Sequence, residues 1–137
     1  MNDFEYAKPE TEAEAVELLS AHAGRTAVLA GGTDLLSLLR KSLVAPERVV
    51  DLKGIAALRE IRPDNGGVVI GANVTLADLA THPLVADYTA LHDVIRGIPA
   101  IQVQSTGTLV GDLCLHPNCW YYRGGYGLTA WRDGRSL

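Results

Sequence analysis

The chain has 137 residues, 47% of them hydrophobic and 20% charged, with a formal net charge of -4. This is the size and balance of one ordinary globular domain, which excludes a disordered tail. An acidic chain without a basic cluster is also not a nucleic-acid binder held by phosphate contacts.

The amino terminus, "MNDFEYAKPETEAEA", lacks the basic start and apolar run of a secretory signal, so a cytoplasmic location is expected. The apolar runs are far shorter than a membrane span. With only Cys114 and Cys119, no stabilising disulfide is expected.

The first clear element is a helix in "KPETEAEAVELLSAHAG". Thr11 and Glu14 form a capping box, and Ala15, Val16, Leu19 and Ala23 recur at helical spacing until Gly24. "TAVLA", residues 26–30, reads as a buried strand between glycines. After Gly31 and Gly32, Thr33 is placed as the cap of a second helix, whose apolar face is Leu35, Leu36, Leu38 and Leu39. A strand is expected around Val49 and Val50. A further strand over 67–71 pairs with "LREIRP" through an Asn65-Gly66 hairpin turn. Thr75 caps a short helix that Pro83 stops. Tyr88 to Pro99 is helical again, and "IQVQSTGTLVGDL" reads as a second junction from strand to glycine turn. The remaining "CLHPNCWYYRGGYGLTAWRDGRSL" shows no periodicity. The elements imply an α+β fold with two lobes joined near residues 52–57.

Two stretches point to chemistry. In "LAGGTDLLSLL", adjacent glycines expose backbone amides without a Cβ, and the amides that start the next helix add to them, an arrangement suited to phosphate. The pattern is neither a Rossmann nor a Walker motif, and a plain structural turn fits it equally. "STGTLVGD" repeats the chemistry with Ser105, Thr106 and Thr108 hydroxyls around Gly107 and Gly111, and two such loops suit a diphosphate. Its alternative is a strand end with hydroxyl turns. Cys114, His116 and Cys119 are metal ligands on paper, but a zinc or cluster site needs about four ligands and no second pair is present. No metal is therefore expected. Trp120, Tyr121, Tyr122, Tyr126 and Trp131 supply rings for stacking on a heterocycle or for filling a core. No catalytic triad or carboxylate pair can be assembled, so any hard chemistry belongs to a cofactor.

Taken together, "LAGGTDLLSLLRKSLVAPERVVDLKGI", "VVIGANVTLADLATHPLV", "GIPAIQVQSTGTLVGDL" and "NCWYYR" resemble the FAD-binding medium subunit of the molybdenum hydroxylases, the xanthine dehydrogenase, aldehyde oxidoreductase and carbon monoxide dehydrogenase family. The resemblance runs from about Phe4 to Arg123 and keeps the motifs in family order. It implies an α+β FAD fold of two subdomains, residues 1–55 and 56–137, the second incomplete at its carboxyl end, with the smaller C-terminal domain absent. The chain is then an N-terminal fragment or a truncated product. The phosphate-binding segments fall on Ala30, Gly31, Gly32, Thr33 and Asp34 and on Thr108, Leu109, Val110, Gly111 and Asp112. Val110 stands where the family has the first of two adjacent glycines. "GANVT" resembles the segment bordering the flavin ring, which adds Asn73 and Thr75. "CWYYR" resembles a branch carrying an extra iron-sulfur cluster; no cysteine follows Cys119, so that cluster is not expected.

The function implied is electron transfer. A molybdopterin-binding subunit oxidises the substrate, a [2Fe-2S] subunit relays electrons, and FAD passes them to NAD or another acceptor. The competing expectation is an assembly domain that keeps the fold and docks partner subunits but has lost the flavin.

Overall fold

The computed structural model describes residues 2–115, 119–120, 131–132 and 135–136. The first half is a three-stranded parallel sheet. Strands β1 (Glu5–Ala7) and β2 (Thr26–Leu29) both pair with β3 (Arg48–Asp51), which lies between them. The register sets Tyr6 and Ala27 beside Val49, and Leu29 beside Asp51. Helix α1 (Glu12–Ala21) connects β1 to β2, and α2 (Leu35–Arg40) connects β2 to β3. Parallel neighbours need such crossovers.

Local chemistry explains these elements. Thr11 caps α1 by accepting from the Glu14 amide at 3.2 Å. The Glu14 carboxylate returns to the amide of Glu10 at 2.9 Å, one residue earlier than a standard capping box. Strand β1, which the periodicity does not predict, has its first two residues exposed and only Ala7 half-buried, so it carries no apolar alternation. The cap position of α2 is Asp34 rather than the predicted Thr33, and it makes no side-chain cap bond. Helical bonding there starts one residue earlier than expected, with the Leu36 amide donating to the Gly32 carbonyl at 3.2 Å.

Two 3-10 turns, Leu52–Gly54 and Ala56–Arg59, lead to the antiparallel hairpin of β4 (Ile61–Asp64) and β5 (Gly67–Ile70). Its Asn65-Gly66 turn has positive φ at both residues, 41° and 87°, as a two-residue hairpin loop requires. Helix α3 (Leu76–Thr81) is capped by Thr75, and a 3-10 turn at Pro83–Val85 precedes α4 (Thr89–Arg96). The core of this half joins Val74, Leu76, Leu79, Val85 and Ile95, with Ile61, Val68, Ile70 and Leu109 packed against them.

The expected strand at "IQVQST" is instead helix α5 (Ile101–Thr106). Its alternation of apolar and polar residues is not a buried face, because Ile101 is 76% exposed. Gln104 donates to the carbonyls of Ile95 and Ile98, at 3.2 and 2.7 Å, and closes the end of α4. The Ser105 and Thr106 hydroxyls bond back to the carbonyls of Ile101 and Gln102. Helix α6 (Leu109–Leu113) follows, and a short antiparallel pair, β6 (Trp131–Arg132) and β7 (Arg135–Ser136), ends the described chain. His116, Tyr121, Tyr122, Tyr126 and the side chain of Trp131 lie outside the described residues.

Leu79 is 1% exposed at the centre of the second core. Leu79→Ala is expected to lower unfolding free energy by about 2–5 kcal/mol. Urea denaturation with an unchanged slope would show this as a shift of the midpoint alone.

Candidate functional site

The carboxyl ends of parallel strands are where open α/β sheets bind ligands. Here β2 runs out at Leu29 into Ala30-Gly31-Gly32, and β3 runs out at Asp51 into Leu52-Lys53. The second glycine stretch lies against the first. A Cβ built on Gly31 would collide with the Thr106 carbonyl oxygen, so only glycine permits this approach. Gly32 has φ of 83°, a left-handed conformation that disfavours any side chain.

A cavity of about 850 Å³ opens where the two stretches meet, within the range of roughly 300–1,000 Å³ usual for small-molecule sites. Ala30, Gly31, Gly32, Thr33 and Asp34 line one side, and Thr108, Val110 and Gly111 the other. Leu35, Leu38, Leu52, Ala72 and Cys114 supply apolar wall, and Arg25 and Glu47, paired at 2.7 Å, stand at the amino end of β2. The amides of Gly31, Gly32, Thr33 and Asp34 have no acceptor among the described residues. Neither does that of Val110, whereas Gly111 donates to the Thr108 hydroxyl at 3.1 Å.

The remaining sequence-predicted residues sit differently. The Leu109 side chain packs against the second core. Thr75 is absorbed by the cap of α3: its hydroxyl donates to the Asp78 carboxylate at 2.7 Å and accepts from the Asp78 amide at 3.1 Å. It also forms a β-bridge with Thr108, which ties α3 to the second glycine stretch. Asn73 is 5% exposed and adjoins the cavity residue Ala72. Its Nδ2 donates to the Leu52 carbonyl at 2.6 Å, while Oδ1 is buried without a partner among the described residues. Asp112 does not line the cavity, and it feels the charge of Asp34 across the junction of the two stretches. Cys114 and Cys119 are exposed, and no group of three or more metal-binding side chains forms among the described residues.

Sequence reasoning missed three residues beside the first stretch. Asp51, 3% exposed, accepts from the Tyr6 hydroxyl at 2.6 Å and from the Lys53 amide at 2.9 Å. The Lys53 ammonium lies 3.0 Å from the same carboxylate and donates to the Ala30 carbonyl at 3.1 Å. Burial opposes ionisation of Asp51, but the bonds from Tyr6 and Lys53 outweigh it and hold its carboxyl below the usual value. The same bond pushes the Tyr6 hydroxyl up. An exposed tyrosine, a strand-end aspartate and a surface lysine carry no joint signal until the sheet brings them together.

The fold and the paired glycine stretches define a class. Residues 2–118 match the family model described as the FAD binding domain in molybdopterin dehydrogenase, and the chain belongs to that family. It is 37% identical over 111 residues to the carbon monoxide dehydrogenase medium chain of Hydrogenophaga pseudoflava, covering 80% of this chain and 39% of that one. It is 32% identical over 123 residues to the aldehyde oxidoreductase FAD-binding subunit PaoB of Escherichia coli, covering 89% and 38%. Among solved structures, carbon monoxide dehydrogenase from H. pseudoflava superposes with a TM-score of 0.78 at 36% identity, over 82% of this chain and 39% of that one. Quinoline 2-oxidoreductase from Pseudomonas putida gives 0.76 at 32%, with the same coverage. The chain thus spans about two fifths of the length of the relatives it matches. The family and the α+β class are those the sequence resemblance implied. No helix among the described residues is long and apolar enough to cross a membrane.

Burial, and then the charge of Asp34, raise the pKa of Asp112 above its ordinary value. A carboxyl raised in the fold adds stability below its unfolded value, about 4, and loses it as pH rises through the folded value. Asp112→Asn is therefore expected to be more stable than the parent at pH 7, with the gap closing toward about pH 3. Thermal melts of both proteins across that range measure the difference.

Proposed function

We propose that this chain is the FAD-binding part of the electron-transfer subunit of a molybdenum hydroxylase complex, with residues 1–55 and 56–137 as its two subdomains. Electrons would arrive from a [2Fe-2S] subunit served by a molybdopterin-binding subunit and leave to NAD or another acceptor. The observation that carries this reading is the meeting of the two glycine stretches across one cavity, with amides of both unclaimed by the protein.

The residues present fit the cofactor. The Gly31, Gly32, Thr33 and Val110 amides provide donors for a diphosphate, which needs several converging N-H groups. Asn73 does not itself line the cavity; it follows the lining residue Ala72 and braces Leu52, leaving Oδ1 an unpartnered acceptor beside the site among the described residues. Leu52 and Ala72 give an apolar wall. Bound FAD takes up electrons singly and passes them on as a pair. The chain's own work is to bind, orient and exclude water, and no side chain here acts as a general base. Val110, a β-branched residue, lines the same cavity, which is the observation favouring the alternative of a flavin-free assembly domain.

Purified protein titrated with FAD is expected to quench flavin fluorescence and to retain bands near about 375 and 450 nm. A folded, colourless protein that still captures its partner subunits would establish the assembly reading instead. Gly32→Val is expected to abolish flavin retention, and Gly31→Ala to weaken binding about tenfold or more by parting the two stretches. Thr108→Ala is expected to weaken binding and Val110→Gly to tighten it. Dissociation constants of proteins with native circular dichroism decide these cases.

A further inference from the structure

We propose that Lys53, held in place by Asp51, is a positioning residue that sets the orientation of the Ala30-Gly31 peptide and so presents the Gly31 amide to a ligand. The proposal rests on the reading of that turn as the flavin site. Ala30 is the first residue beyond β2, and it lines the cavity. Its carbonyl accepts from the Lys53 ammonium at 3.1 Å and from no other donor among the described residues.

A trans peptide is planar, with its C=O and N-H on opposite sides. Fixing the Ala30 oxygen therefore directs the Gly31 hydrogen the other way. Gly31 carries no Cβ to oppose a flip of this peptide, and the ammonium is the hydrogen-bonded restraint on its oxygen. The ammonium is itself restrained. Asp51 is 3% exposed and holds the Lys53 amide and ammonium on Oδ1, while Tyr6 from the far edge strand donates to Oδ2. The chain of contacts runs across the ends of all three parallel strands, β1 to β3 to β2, and terminates on the turn.

The test compares Lys53→Met, Lys53→Arg and Tyr6→Phe in the full chain. FAD alone is titrated by fluorescence, and amide relaxation dispersion at Gly31 and Gly32 is recorded without FAD. Lys53→Met is expected to weaken FAD binding about tenfold and to broaden the Gly31 amide by microsecond-to-millisecond exchange. Lys53→Arg is expected to restore most of both. Tyr6→Phe, which keeps the lysine contact, is expected to lower thermal stability with little change in affinity. Equal FAD affinity and an equally sharp Gly31 amide in Lys53→Met would overturn the proposal, as would losses that follow thermal stability across all three variants. If the unsubstituted chain binds no FAD, the flavin reading fails, while Gly31 exchange in Lys53→Met still decides the positioning role.

Discussion

The approach of one backbone to another at Gly31 and Thr106 is the constraint on which this molecule turns. It brings the exit of a parallel sheet against the end of a helix from the other half of the chain. A side chain at Gly31 would hold the halves apart and leave two unrelated loops. Without one, the space between them becomes a cavity with donors on both walls. The Thr75–Thr108 bridge and the Asn73–Leu52 bond brace the same junction from the α3 side.

The electrostatics of the junction are unusual for the diphosphate site proposed there. Asp34 lines it and Asp112 stands near it, and their mutual repulsion is felt at Asp112. The Lys53 ammonium is spent on Asp51 and on the Ala30 carbonyl. In the proposed flavin site, recognition would therefore fall to neutral backbone amides, whose dipoles are fixed before a ligand arrives and cost little reorganisation.

Much of this was legible in the sequence where a residue's role is local. Thr11, Thr75 and Asn65-Gly66 do in the fold what their neighbours in the chain imply. The glycine stretches could be singled out because a residue without a Cβ permits the close backbone approach seen at Gly31. The failures were of two kinds. "IQVQST" alternates like a strand, yet the carbonyls of Ile95 and Ile98 recruit Gln104 and the segment winds into a helix. Strand β1 and the Tyr6, Asp51 and Lys53 cluster depend on partners more than forty residues away, which no window of periodicity spans.

The order of the parallel sheet also bears on how the chain acquires its shape. The edge strands β1 and β2 have no hydrogen bonds to each other; each has its ladder partner only in β3. Neither can be secured until residues 48–51 have been made and inserted between them. The sheet is thus a long-range object, built from pairings between residues well separated along the chain. The same insertion that completes the ladder delivers Asp51 and places Lys53 beside the Ala30 carbonyl, so the sheet and this contact to a cavity-lining residue are assembled together.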